Sequence, residues 1–211
     1  MGIPTLLDHV VIAGPSLDGL VAWFAERTGV TAAPGGRHPT GTANALVALT
    51  VDGARGRQYI ELLGPAPDAE TTPALFGIDT LTGPAIVTYA VHPDDLDATI
   101  AAARAAGADP GEAAALSRRT PDGTVLAWRL TQPRQDGVPF LIDWQDTAHP
   151  GLGELPAVEL MSFTRTQPAA DRARGAIAAL GLPASATAPV ASGPNAGYAL
   201  TLRTASGTVT L

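Results

Sequence analysis

One arrangement recurs three times along this chain, and a repeat constrains the fold more than any single motif does. Leu6–Ala13 is a β-rich run closed by Gly14-Pro15. Ser16 then reads as an N-cap, and Leu17, Leu20, Val21 and Phe24 recur at helical spacing up to Gly29, a C′ residue. A Gly/Pro-rich loop over Ala33–Thr42 follows, then strands at Asn44–Val51 and Gln58–Leu63 joined by a turn at Asp52-Gly53. The second pass begins at Ala85–Val91, with Pro93 and Asp94 in the places of Pro15 and Ser16. Leu96, Ile100 and Ala103 mark its helix, which stops at Gly107. Strands at about 113–119, 124–131 and 138–144 complete it, with Thr120-Pro121-Asp122-Gly123 as a type I turn. The third pass has a strand at Val158–Thr164, a helix at Ala169–Leu180 ending at Gly181, and strands at Thr187–Ala191, Tyr198–Thr204 and Thr208–Leu211.

Each copy reads strand, helix, then two or three strands, so the expected class is α+β with tandem βαβββ units. Such a unit cannot bury both faces of its small sheet alone. The units at about 5–65 and 84–145 are expected to pair into a half-open barrel forming a domain over 1–150. The third unit, 151–211, is left without a partner inside the chain. It must pack on the outside or meet another subunit, and the second case would make a homodimer.

Composition removes several function classes. The 211 residues are 45% hydrophobic and 16% charged, which excludes a disordered chain. Net charge is −7, and all 13 basic residues are Arg with no Lys run, a poor basis for binding a phosphate backbone, so no nucleic acid is expected. Without Cys there is no disulfide, thiolate nucleophile or Cys-based zinc site. The stretch MGIPTLLDHVVIAG has no basic leader and no long apolar run, so the expected setting is cytoplasmic, with no membrane partner. No nucleotide-cofactor motif is present, and the expected partner is a small-molecule ligand.

Strand alternation places the chemistry. In Leu6–Ala13, Leu7, His9 and Val11 share one face while Val10 and Ile12 share the other. Val10 and Ile12 suit the helix-packed side, which sends His9 into a cleft. In Gln58–Leu63, Tyr59, Glu61 and Leu63 share a face, with Ile60 and Leu62 toward the core. The first and last strands of a βαβββ unit are commonly neighbours, which puts His9 beside Glu61. An imidazole and a carboxylate so placed make half of a divalent-metal site or an acid/base pair; equally, they make an inert polar pair in a wet cleft. His38 sits among Gly35, Gly36 and Gly41, where backbone can approach a ligand, and Asn44 could orient it. Arg118, Arg119, Arg129 and Arg134 surround the second unit's hairpin and can offer guanidinium forks to an anion, or pair with Asp122, Asp136 or Glu112 in solvent. Trp128 is core or cleft wall, Tyr59 and Trp144 can stack on a ligand, and His92 is expected to make only a turn contact.

The runs Leu7-Asp8-His9-Val10-Val11 and Tyr59-Ile60-Glu61-Leu62-Leu63-Gly64-Pro65 resemble the two metal-ligand strands of the glyoxalase/bleomycin-resistance/dioxygenase group, the vicinal-oxygen-chelate superfamily. Gly35-Gly36-Arg37-His38-Pro39, Ser117-Arg118-Arg119-Thr120-Pro121-Asp122-Gly123, and Pro139-Phe140-Leu141-Ile142-Asp143-Trp144 with His149-Pro150 resemble its glyoxalase-like domain family. The resemblance covers 5–150 well. It implies one divalent ion (Mn, Fe, Ni, Co or Zn) held by His9 and Glu61 with a ligand pair from the second unit. Aligning Pro93 on Pro15 puts Val87 or Thr88 where His9 sits, and Asp143 falls opposite Glu61 if Phe140, Ile142 and Trp144 form the core-facing side, so the set is at least one ligand short. His38 or His149 could complete it. The implied function is a lyase or isomerase acting on an oxygen-rich, anionic substrate. Glu61 and His38 would be catalytic, and Asn44, Tyr59, Arg118, Arg119, Trp128, Asp143 and His149 would touch substrate. The alternative is sequestration of a drug or metabolite in the same cleft without catalysis.

Overall fold

In the computed structural model, which describes residues 2–132 and 138–211, eight strands close on themselves. β1 (Leu7–Ala13) lies parallel to β4 (Ala54–Pro65), with β3 (Thr42–Val51) and β2 (Ala33–Arg37) following in antiparallel order. The second run supplies β5 (Ala85–Val91), β6 (Ala113–Arg119), β7 (Val125–Thr131) and β8 (Phe140–Asp143), with β5 parallel to β8. Each run thus has its first strand beside its last. β5 joins β1 along a full antiparallel ladder, whereas β2 meets β6 through one pair, Arg37 with Arg119. That thin seam is why the barrel is half-open.

Local chemistry explains the helices. α1 (Leu17–Thr28) begins where Ser16 Oγ accepts from Gly19 N–H and ends at Gly29, whose φ of 72° suits a residue without a Cβ. α2 (Leu96–Ala105) is capped by Asp95 accepting from Ala98 N–H, one residue later than the sequence spacing suggested. Both helices pack on the outside of the barrel. Leu20, Phe24, Leu96 and Ile100 meet Val10, Ile12, Ile60 and Leu62 there in one buried cluster. Burying a side chain such as Phe24 there contributes about 1.5–3 kcal/mol.

Two expectations change. The Gly/Pro-rich segment read as a loop contains β2, because β3 offers a free edge and pairs Ala33 with Leu46 and Arg37 with Ala43. Leu7 does not share the face of His9 and Val11. The β1–β5 register shifts between Leu7 and His9, a bulge that turns Leu7 to the helix side with Val10. The remainder of the face assignment stands. Val11, Tyr59 and Leu63 look inward with Phe140 and Ile142.

The third run supplies β9 (Ala157–Gln167), α3 (Ala170–Ala178), β10 (Val190–Ser192), β11 (Gly197–Thr204) and β12 (Gly207–Thr210). Its strand order is β10-β9-β11-β12, so its first strand is central rather than beside its last. β9 continues the main sheet from β3. Phe163 and Tyr198 stack on each other at 5.7 Å between ring centroids, and each meets Tyr89 of β5 edge-on. This run therefore packs against the outside of the barrel, in the same buried cluster as the helices.

Candidate functional site

The inside of the barrel is not filled. A cavity of about 350 Å³ opens between the two runs, with a polar end at His9, His38, Asn44, Glu61 and Arg118. Most of the remaining wall is apolar, including Leu116, Leu130, Phe140 and Ile142. Leu75 and Phe76, from a 3-10 segment at Leu75–Thr80, stand at its mouth, and Phe76 stacks on Phe140 at 6.0 Å. Phe76 holds a φ of 54°, a left-handed conformation costly for a residue with a Cβ.

Glu61 is the centre of the polar end. Its Oε1 accepts from Asn44 Nδ2 at 2.5 Å and lies 3.9 Å from His38 Nε2, while its Oε2 lies 3.8 Å from His9 Nε2. His38 Nδ1 meets Thr42 Oγ1 at 2.9 Å. Burial lowers the His38 pKa from its usual value and Arg118 lowers it further, against Glu61, so the neutral ring is favoured. His9 stacks on Tyr59 at 4.8 Å between centroids.

Behind His9 is a residue that strand alternation concealed. Asp8 belongs to the β1 bulge and is 1% exposed. Its Oδ1 lies 2.7 Å from His9 Nδ1; its Oδ2 accepts from Trp144 Nε1 at 3.1 Å and lies 2.9 Å from His149 Nε2. Burial pushes its pKa up, but the bonds from His149 and His9 and the nearby His92 ring outweigh burial and hold it well below the carboxylate range. Asp8 is therefore an ionised acceptor among donors. It fixes the proton of His9 on Nδ1 and leaves the Nε2 lone pair facing the cavity.

This tautomer sets the chemistry of the gap. The His9 Nε2 lone pair faces a Glu61 oxygen across 3.8 Å, an arrangement that favours a proton-bearing or cationic group between them. Either imidazole could share a divalent ion with the Glu61 carboxylate across its gap of 3.8 or 3.9 Å, but the donor atoms of all three residues do not lie within 4.8 Å of one another. Ligand bonds of about 2.0–2.2 Å on each side would bridge either gap.

Among the described residues, a tighter group of Asp8, His92 and His149 also could hold a metal by distance, its donor atoms lying within 4.8 Å of one another. The His149 tautomer weighs against it. Gly151 N–H donates to His149 Nδ1 at 3.1 Å, so the ring proton must sit on Nε2, where it faces Asp8 and not a cation. His92 Nδ1 lies 3.4 Å from Asp8 Oδ2 but has no aligned hydrogen bond.

Of the residues singled out from sequence, His9, His38, Asn44, Tyr59, Glu61, Arg118, Trp128 and Trp144 line the cavity together. Three do not. Arg119 alternates outward from Arg118 and donates to Gly123 O at 2.9 Å. Asp143 faces away because Phe140, Ile142 and Trp144 line the cavity; its Oδ1 accepts from Gln145 N–H. His149 caps the short turn at Pro150–Leu152 and supports Asp8 from behind. Arg129 pairs with Asp97 at 2.7 Å, and Arg134 and Asp136 lie outside the described residues. Sequence reasoning missed Asp8. The available signal was a charged residue inside an apolar strand, a position that demands partners.

Two glycines admit the site's side chains. A Cβ on Gly35 would run into Asn44 Oδ1, and one on Gly36, whose φ is 154°, would meet Arg119 O and press on Arg118 Nη1. Arg118 Nη1 also donates to Gly35 O. The Gly-Gly pair in β2 thus lets Asn44 and Arg118 approach from opposite neighbours.

Paired βαβββ runs closing a barrel over a polar-ended cavity define a class, and the family model follows it. The model of the glyoxalase-like domain matches residues 7–181. The chain belongs to that family, within the vicinal-oxygen-chelate superfamily. The match runs beyond residue 150 through α3, as the continuous sheet from β3 to β9 would lead one to expect. No protein of curated function matches the chain. Among solved structures, a hypothetical protein from Staphylococcus aureus aligns at 14% identity and TM-score 0.63, covering 90% of this chain and 87% of its own, and so shares the fold. Methylmalonyl-CoA epimerase from Mycobacterium tuberculosis aligns at 24% identity and TM-score 0.39, over 67% of this chain and 88% of its own. A mutant 4-hydroxymandelate synthase from Streptomyces coelicolor aligns at 16% identity and TM-score 0.45, over 99% of this chain and 62% of its own. Among the described residues, no helix is long and apolar enough to cross a membrane.

Proposed function

We propose that the chain is an enzyme of lyase or isomerase type that moves a proton on a small, oxygen-rich, anionic molecule held in this cavity. One observation carries this: the Glu61 carboxylate stands on the cavity wall, fixed by Asn44 and flanked at 3.8 and 3.9 Å by the nitrogens of His9 and His38. Glu61 is placed to take a proton from a carbon next to a carbonyl or carboxylate. The negative charge that develops on substrate oxygen is offset by Arg118, which also lines the cavity. Returning the proton to another carbon gives an isomerase; expelling a neighbouring leaving group gives a lyase. His38, favoured as the neutral ring, can accept or relay a proton, and Asp8 keeps the His9 lone pair turned inward.

His9 and Glu61 are the residues that would hold a divalent ion such as Mn, Fe, Ni, Co or Zn. When bound, that ion would polarise substrate oxygens as a Lewis acid. The test is hydrogen–deuterium exchange at carbon, followed by NMR on a panel of 2-oxo and 2-hydroxy acids, with metal analysis of protein purified without chelators. Exchange that disappears in Glu61→Gln supports the reading. A stoichiometric ion lost in both His9→Ala and Glu61→Ala assigns the metal. Ligands that raise the melting temperature yet show no exchange would point instead to non-catalytic sequestration, which the largely apolar wall favours.

A further inference from the structure

Arg118 differs from the surface arginines of this protein. Arg37, Arg104, Arg129 and Arg174 all sit at the surface paired with carboxylates. Arg118 is 4% exposed, lines the cavity, and among the described residues has no carboxylate oxygen within 4.0 Å. Among the described residues its one hydrogen bond, to Gly35 O, uses one of five N–H groups. Burying that charge is costly, and the Glu61 carboxylate at the same end of the cavity offsets the burial only in part.

Trp128 is its neighbour in the wall. Its ring lines the same cavity, while its Nε1–H is itself buried, without a partner among the described residues. The strand register explains the proximity. Leu116 of β6 sits opposite Trp128 of β7, so Arg118, two residues on, is Trp128's diagonal neighbour on the same inward face. A buried, underused charged donor in the cavity wall matches an anionic acceptor. Beyond it the wall turns apolar, with Leu116, Leu130, Phe140 and Ile142. At about 350 Å³ the cavity is near the lower end of ligand pockets, which suits a compact molecule.

We infer that the ligand of this cavity is a carboxylate with an aryl or branched-alkyl body, its carboxylate received by Arg118 and its body laid along the apolar wall. This rests on the proposed function only in taking the same cavity as the site. In a protein of net charge −7, the buried Arg118 supplies the local attraction that brings an anion in.

The test is calorimetric titration of the full chain with three probes: 3-phenylpropionate, its neutral amide, and propionate. The acid is expected to bind about 10- to 100-fold more tightly than the amide, the range for hydrogen bonds to a charged group. It should exceed propionate by a similar factor through burial of the ring. Arg118→Gln should bring acid and amide to equal affinity. An amide that matches the acid in the unaltered protein, or an acid that does no better than propionate, would overturn the assignment. So would unchanged acid binding in Arg118→Gln with its melting temperature preserved. The comparison in the unaltered protein does not depend on a variant folding. Binding of the acid retained in Glu61→Gln, where exchange is lost, separates this ligand class from the catalytic reading: either can fail while the other stands.

Discussion

Asp8→Asn leaves the shape of a buried side chain intact and reverses the hydrogen-bonding sense of one of its two ends. The carboxylate accepts at Oδ2 from Trp144 and faces His149 there, and faces His9 at Oδ1. Asparagine keeps one oxygen and turns the other into a donor. The Trp144 indole can only donate, and His149 is held in its Nε2–H tautomer by Gly151 N–H on Nδ1. The amide oxygen must therefore stay with Trp144 and His149, and its NH2 turns to His9. His9 is the one partner free to respond, and it does so by moving its proton to Nε2, which points that N–H at Glu61. Exchanging three charge-assisted bonds for neutral ones costs about 1 kcal/mol each, partly offset by no longer burying a charge, for a net loss of about 1–2 kcal/mol. Asp8→Ala, which leaves two locked donors bare, should lose about 3–5 kcal/mol. Long-range 1H–15N correlation spectra of the imidazoles report the tautomer directly, and urea unfolding reports the stability. In Asp8→Asn, His9 should switch from Nδ1–H to Nε2–H, with any bound metal and any exchange activity reduced well beyond the stability loss. A variant whose His9 keeps its original tautomer would refute the argument that Asp8 sets it.

His38 links the site to pH. Burial depresses its folded pKa, so its contribution to stability is complete above the unfolded value of 6.5 and is lost as pH falls through the folded pKa. Urea midpoints of the unaltered protein should drop between pH 7.5 and 5.5 by more than those of His38→Gln; equal drops would count against it. Asp8, depressed from 3.8, gives stability that persists down through pH 3.8 and is lost only at more acid pH. Its own titration should therefore add no slope to the unfolding curve between pH 7 and 5. Gly35→Ala places a methyl group against Asn44 Oδ1 and should release the Glu61–Asn44 bond. Exchange activity is expected to fall about tenfold or more, since losing a hydrogen bond to a charged group costs roughly 1.5–3 kcal/mol, and the fold should survive by circular dichroism. Phe163→Ala should cost about 3–5 kcal/mol, the range for emptying a buried aromatic site. Because Phe163 shares one core with Tyr89 and the barrel helices, unfolding should remain a single transition; two separate transitions would show that 151–211 folds alone.

The difference between what the sequence disclosed and what it hid follows from how far each inference had to reach. His9 and Glu61 were legible because each lies in a strand whose apolar neighbours declare the buried face, and a period of two then fixes the other face. Helix starts and stops were legible because Ser16 and Gly29 act within four residues. Asp8 was not, since alternation assigns adjacent residues to opposite faces, and only a bulge lets Asp8 and His9 touch. A bulge is a property of two strands, here β1 and β5, and no pattern in either one alone reveals it. β2 was hidden for the same reason: its Gly and Pro residues weaken the local strand signal, and pairing with β3 and β6 overrides them. Asp143 shows the converse failure. The alternation of Phe140, Ile142 and Trp144 was read correctly, but in a barrel the apolar face can be the one that meets a ligand, so hydrophobicity alone did not say which side was the inside. The same ambiguity gives Arg118 its significance. A lone cation on the inward face of an apolar barrel is a local inconsistency in the sequence, and such inconsistencies mark the places where a fold gives up stability for a ligand.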